Sequence, residues 1–233
     1  MTKSDLIYAL HKVGVYDFLD RGRDYKELVK AARRPSFSQF GEDLFLRDYF
    51  DSRQGLYIEV GGNHPFSLSN TYLLYRMGWH GLVVEPIARL CDKHKRFRPR
   101  DIQVNAAIGS GAGDLQFYEL IPSVLSTCEP VEARKMISTG TAKLLREYSV
   151  PVTTVSELYR KYLAPHPILL LSVDTEGHDM AVLHGIDWDE IRPEIVICEA
   201  NDDAKRSEVS QFLAGYGYEI TRILGCNLLF KLG

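Results

Sequence analysis

Leu56-Tyr57-Ile58-Glu59-Val60-Gly61-Gly62-Asn63-His64-Pro65 is the stretch from which this chain is read. A short β-prone run stops at two glycines. A strand that ends this way and feeds a helix lets a ligand approach bare backbone at the carboxyl edge of a sheet. Asn63 tolerates a positive φ better than most residues, so the turn keeps its freedom beyond the glycines. The next β-rich run, Leu82-Val83-Val84-Glu85-Pro86, ends on an acid. A carboxylate there, about 20 residues after the glycines, suits both hydroxyls of a ribose.

Working outward, further β-rich runs fall at 102–106, 168–173 and 195–199, with amphipathic segments between most of them. Alternation of this kind predicts a parallel sheet covered on both faces. The run 168–173 is apolar almost throughout, as a strand buried on both sides requires. Residues 218–223 and 227–232 read instead as a terminal antiparallel hairpin around Gly225. Upstream of Leu56 the texture is helical. Leu6, Ala9, Leu10 and Val13 share a helical spacing, as do Tyr25, Leu28, Val29 and Ala32. A third helix is predicted from about Gln39 to Tyr49, set off by Pro35, with Ser36 to Gln39 as a capping box. The expected organisation is a helical extension over 1–54, acting as lid or acceptor-recognition element, and a ligand-binding α/β domain over 55–233.

Several classes are excluded. The chain has 233 residues, enough for one domain, and its net charge of −3 argues against non-specific nucleic-acid binding. No apolar run approaches the roughly 20 residues of a membrane span. The N-terminus lacks the apolar region of a signal peptide. Cys91, Cys128, Cys198 and Cys226 are widely spaced with no CxxC pair, which predicts reduced thiols in a cytoplasmic protein rather than a disulfide framework or a zinc site. A nicotinamide site needs G-x-G-x-x-G, and counted from Gly61 this chain has Asn63 and Phe66 at the later glycine positions. A nicotinamide oxidoreductase is therefore disfavoured as an alternative. No GxxxxGK[ST] loop for nucleotide hydrolysis occurs.

Further motifs stand in order along the chain: Ser38-Gln39-Phe40-Gly41-Glu42-Asp43, Glu59 to Asn63, Ser69-Asn70-Thr71, Gly78-Trp79-His80-Gly81 and Val84-Glu85-Pro86. They continue with Val173-Asp174-Thr175-Glu176-Gly177-His178-Asp179, Leu183, Gly185 and Gly225-Cys226-Asn227-Leu228-Leu229-Phe230. Over about 36–233 this pattern resembles the FkbM family of class I methyltransferases. Gly62 departs from it, standing where Ala is more usual, and residues 1–35 lie outside it.

The resemblance implies a Rossmann-like α/β fold with a mostly parallel seven-stranded sheet and a terminal antiparallel hairpin. It implies S-adenosylmethionine as cofactor and O-methylation of a saccharide or other hydroxylated small molecule. Glu59, Gly61, Gly62 and Asn63 are then expected around the methionine portion, Glu85 and Pro86 at the ribose, and Asn105 and Ala106 near adenine. Asn70 and Thr71 are expected to cap the following helix or brace the loop. Gln39, Glu42 and Asp43 either reach the cofactor's carboxylate or amine, or form a capped helix with a solvated acidic face.

Asp174, Glu176 and His178 follow the central strand, where a crevice is expected to open. Methyl transfer from a sulfonium needs an aligned acceptor oxygen and a place for its proton, so Asp174, which also borders the cofactor, Glu176 and His178 are the candidate catalytic residues. The alternative is that the two acids bond loop amides and cap the next helix. Asp174 and Glu199, with Asn201 or Asp202, offer oxygen ligands of the kind hard cations prefer; no metal is assigned. The basic stretch Lys93 to Arg100 suits the negative end of a helix dipole, with a phosphate-bearing acceptor as the sharper reading. His64, beside Pro65, reads as part of a turn. A cofactor-binding protein without catalysis is the remaining alternative.

Overall fold

The computed structural model describes residues 2–12, 15–31 and 33–233. In chain order these form α1 (Lys3–Lys12), α2 (Tyr16–Ala31), α3 (Glu42–Phe50), β1 (Leu56–Val60), α4 (Tyr72–Arg76), β2 (His80–Val84), α5 (Ala88–Phe97), β3 (Ile102–Val104), β4 (Ala107–Ile108) and β5 (Gly113–Ile121). There follow α6 (Pro130–Ser138), β6 (Lys143–Thr153), α7 (Val155–Tyr162), β7 (Ile168–Val173), α8 (Asp179–His184), β8 (Ile195–Glu199), α9 (Asp203–Ala214), β9 (Tyr218–Leu224) and β10 (Asn227–Leu232). Val13 and Ala32, two of the helix-spacing positions, lie outside the described residues.

The main sheet has seven strands in the order β3-β2-β1-β7-β8-β10-β9. β3, β2, β1, β7 and β8 run parallel, and β10 pairs antiparallel with both β8 and β9. Alternation along each strand feeds two apolar layers. Ile58, Val60, Leu171, Val173, Val196 and Cys198 face one layer, with Val155, Leu158, Val182 and Leu213 from the covering helices. Tyr57, Leu170, Ile195 and Ile197 face the other, with Leu46, Phe50, Leu74 and Trp79. This is the Rossmann-like fold expected, with its terminal hairpin.

Two expectations are corrected. The boundary at 54/55 cuts through a packed layer, because Leu46 and Phe50 of α3 are fully buried against the sheet. Of the three N-terminal helices, α1 and α2 contribute no described residue to that layer. The third helix also starts later than predicted, at Glu42. Gly41, with φ +90, is its N-cap, and no Ser36–Gln39 capping box forms. Asp43 turns back instead, accepting from the Ser36 and Ser38 hydroxyls and the Phe37 N–H at 2.6–2.7 Å.

A second sheet, β4-β6-β5, lies between β3 and α7. It has its own apolar cluster, including Phe117, Val150 and Val152 against Ile87 and Leu90. Glu119 is fully buried within it, between Arg89 of α5 and Arg146 of β6. α1 has no buried residue and rests against β5 and β6, where Lys143 pairs with Asp5. α2 sends Asp20 and Asp24 to Lys93 of α5. Among the described residues no helix is long and apolar enough to cross a membrane.

Candidate active site

A cavity of about 380 Å³ opens where β1, β2, β7 and β8 end, roofed by the connection from β5 to α6. Its floor depends on Gly61. That residue has φ +83, and a Cβ there would lie 1.8 Å from the carbonyl oxygen of Asp174. Only glycine lets the ends of β1 and β7 approach this closely. Asn63 follows with φ +37, as its position suggested. Among the described residues four that are not glycine have positive φ, and three of them, Asn63, Leu68 and Glu176, line this cavity. Strained backbone of this kind concentrates at functional sites.

Glu85 enters from the end of β2. Its carboxylate is buried and accepts the N–H groups of Asn63 and Ile87, both at 2.7 Å. Burial pushes its pKa up to about 7, against those two bonds. One carboxylate thus ties the glycine loop to the end of the neighbouring strand. Behind the loop, buried His94 donates from Nε2 to the carbonyls of Gly62 and Asn63, each at 3.2 Å. Burial holds this ring neutral, with a pKa of about 3.

Three carboxylic acids meet across the cavity: Asp174 and Glu176 after β7, and Glu199 at the end of β8. One oxygen of each lies within 4.8 Å of the others, a spacing that also suits a bound cation. Burial, then repulsion from Glu199 and Glu176, raises Asp174 well above the usual carboxylate range. The same causes, burial first and then Glu199 and Asp179, take Glu176 to about 8. The loop itself is organised by buried Asp179, which accepts from the Thr175 N–H and hydroxyl and the Gly177 N–H. Asp179 thus takes the loop-amide bonds, the helix itself has no side-chain cap, and Asp174 and Glu176 line the cavity.

Of the expected site residues, Gly61, Asn63, Glu85, Pro86, Ala106, Asp174, Glu176 and His178 line the cavity. Glu59 does not. Its carboxylate is held beneath the loop by Arg98 Nη1 at 2.9 Å and by the Thr71 and Ser69 hydroxyls at 2.7 and 3.3 Å. Gly62 is turned toward Val83 and His94, where a Cβ would clash at 2.4 Å, so the departure from Ala at this position follows from packing. Asn105 is exposed and braces the loop after β2, donating to the carbonyls of Glu85 and Pro86 at 2.8 Å.

His178 reaches the cavity, but neither ring nitrogen is open to it. Nδ1 pairs with Glu129 at 2.6 Å, and Nε2 is enclosed without a partner.

The basic stretch is committed elsewhere. Lys93 pairs with α2, Lys95 with Asp92, Arg98 is buried, and Arg100 donates to the Tyr75 carbonyl. None of it faces the cavity. Thr71 and Asn70 brace rather than cap, through Glu59 and the Ser172 hydroxyl. His64 lies 3.4 Å from Asp24.

Sequence reasoning missed the cavity's second wall: Phe117, the Ser123–Ser126 turn, Cys128 and Met136. No motif marks these residues, and only the fold brings them across from the glycine loop. Cys226 and Leu68 complete the rim.

A family model described as "Methyltransferase FkbM domain" matches residues 59–220. Among solved structures the chain is similar to a precorrin-6y C5,15-methyltransferase from Geobacter metallireducens GS-15, with a TM-score of 0.44, 8% identity, and 85% of this chain and 90% of that one covered. It is also similar to a "putative O-methyltransferase" from Klebsiella pneumoniae, with a TM-score of 0.44, 11% identity, and coverage of 91% and 89%. No curated protein sequence matches the chain.

Proposed function

Because the chain belongs to the FkbM methyltransferase family, we propose that it moves the methyl group of S-adenosylmethionine onto a hydroxyl of a saccharide or glycosylated natural product. Family membership removes the nicotinamide alternative. The observation that carries the reading is the juxtaposition of Glu85, at the end of β2, with the acids Asp174, Glu176 and Glu199 in one cavity.

Glu85 spends one lone pair of each oxygen on a backbone amide. The remaining lone pairs suit two ribose hydroxyls. Pro86, Ile87 and Ala106 beside it offer an apolar slot for adenine. Three neighbouring acids with raised pKa values call for positive charge, and a sulfonium supplies it. A cation beside a buried carboxyl favours its ionised form. Cofactor binding thus readies Asp174 and Glu176 to accept a proton.

S-adenosylmethionine, when bound, would supply the methyl group to the acceptor oxygen, and its sulfur would keep the electron pair of the broken carbon–sulfur bond. The hydroxyl proton passes to Asp174 or Glu176. Aligning the two reactants supplies up to about 7–11 kcal/mol, and a positioned base a further factor of about 10²–10⁴.

Calorimetry with S-adenosylmethionine and with NAD, followed by methyl transfer to a panel of glycosides, tests the proposal. Glu85→Ala is expected to weaken S-adenosylmethionine by about 1.5–3 kcal/mol, the range of hydrogen bonds to a charged group. Unchanged affinity in a folded variant removes Glu85 from the site.

A further inference from the structure

Helix α2 is held on the body of the protein by its acids. Asp20 and Asp24 are buried and pair with Lys93 of α5, Asp24 at 2.9 Å. One turn before them the Tyr16 ring lies against the Arg89 guanidinium. One turn after them Leu28 packs on the aromatic cluster that includes Phe66 and Tyr72. Positions 16, 20, 24 and 28 recur every four residues, so they form one face of the helix.

The opposite face carries the aliphatic side chains. Val15, Leu19, Gly22, Lys26 and Val29 follow one another in alternating steps of four and three residues, which lines them up as a single stripe. All five are exposed. Val15 precedes the helix, but its carbonyl accepts from the Leu19 N–H at 3.3 Å and so continues the stripe. Val15, Leu19 and Val29 are 42%, 46% and 67% exposed. A helix that only completes a globular fold turns its apolar stripe inward. In α2 the acids point in and the aliphatic groups point out.

Charge indicates what such a stripe meets. Residues 1–35 hold eight Lys and Arg against five Asp and Glu, while the whole chain holds 28 against 31. A segment of net charge +3 therefore stands on a remainder of −6. Three of the segment's five acids are spent on the body, Asp5 on Lys143 and Asp20 and Asp24 on Lys93. Arg23 and Lys26 are exposed beside and within the stripe. We propose that α2 lays this stripe on an anionic bilayer surface. Val15, Leu19 and Val29 enter the headgroup boundary, and Arg23 and Lys26 meet the lipid phosphates. The acidic remainder is repelled by the same surface, so the attraction also orients the molecule. A second copy fits the stripe less well, because a two-fold contact sets one positive face against another. None of these residues lines the active-site cavity, so the docking face is separate from it.

Cosedimentation of the full chain with vesicles tests this, with phosphatidylcholine alone and phosphatidylcholine mixed with phosphatidylglycerol as the two surfaces. Wild type is expected to bind the mixed vesicles at least about tenfold more tightly than the neutral ones, and to be released by salt. Leu19→Asp with Val29→Asp is expected to weaken binding to mixed vesicles at least about tenfold. Arg23→Gln with Lys26→Gln is expected to weaken it about thirtyfold, the attraction of two cations to an anionic leaflet. Both double variants are expected to keep the wild-type midpoint in urea, because the side chains they replace are exposed. Absence of binding to mixed vesicles, equal binding to both kinds, or no loss in either double variant overturns the proposal. So does a wild-type dimer in analytical ultracentrifugation that Leu19→Asp with Val29→Asp splits, since that gives the stripe to a second copy.

Discussion

Arg98 Nη1 meets the Glu59 carboxylate at 2.9 Å beneath the glycine loop, with the guanidinium fully buried. The same guanidinium donates to Asp101 at 2.6 Å and to the Tyr57 and Thr71 hydroxyls, both at 2.8 Å. The loop that shapes the cavity therefore stands on a closed set of buried charges. Breaking such a set by removing one partner typically costs about 3–5 kcal/mol, because a charge is left buried alone. Arg98→Met is expected to lower unfolding stability by that amount in urea titrations. Adding Glu59→Gln is expected to recover part of the loss. A single-variant loss too small to resolve shows that the network is redundant.

Asp174→Asn and Glu176→Gln separate shape from basicity. Each is expected to lower methyl transfer at least about tenfold while leaving cofactor affinity within a few-fold, since an amide keeps the shape and cannot take the proton. Chelator is expected to leave activity intact. Abolition by EDTA with rescue by Mg²⁺ makes these acids metal ligands instead, with Glu199 as the third.

Stability of the ligand-free protein is expected to fall as pH rises. Glu85 is raised from 4.5 to about 7 and Glu176 from 4.5 to about 8. The folded state therefore holds protons that the unfolded chain has released. This contribution is complete below the unfolded value and disappears as pH passes through the folded ones, a window of roughly pH 4.5–8. Thermal melts across that window check the slope. S-adenosylmethionine, bringing positive charge, is expected to flatten it, and so is Glu176→Gln at its upper end. A melting temperature that climbs toward pH 8 contradicts the assignment.

Deleting residues 1–35 is expected to spare cofactor binding, because none of the described residues in that stretch lines the cavity. It removes Asp20 and Asp24, the partners of Lys93, and uncovers the face of β5 and β6. A lower melting temperature with an unchanged dissociation constant is the expected pair of results. Loss of acceptor turnover alone, at unchanged stability, assigns the segment to acceptor recognition.

The legible part of this fold is the part in which burial is uniform. Strands β1, β7, β8 and β10 each carry one unbroken apolar face, such as Ile58 and Val60 on β1, and the sequence reading matches their observed limits. Strands β5 and β6 are not legible. Glu119 sits near the end of β5, fully buried, and its acid interrupts the run that marks a strand. What makes that position tenable is two arginines, Arg89 and Arg146, distant in sequence and brought together by folding. The site shows the same division. Glu85, Asp174 and Glu176, which line the cavity, are legible because they follow strands closely. Glu59 was misplaced because its partner Arg98 lies in a stretch whose periodicity says only that a helix ends there.

Leu68 and Glu176 hold left-handed backbone that glycine would adopt more cheaply. A screen selecting only for heat resistance will therefore be drawn to the rim of the cavity, since glycine at either position relaxes the main chain. Those gains would come at the cost of side chains that line the cavity. Heat-tolerant descendants of this protein are better sought along α1, α2 and the outer faces of β5 and β6, away from the cavity.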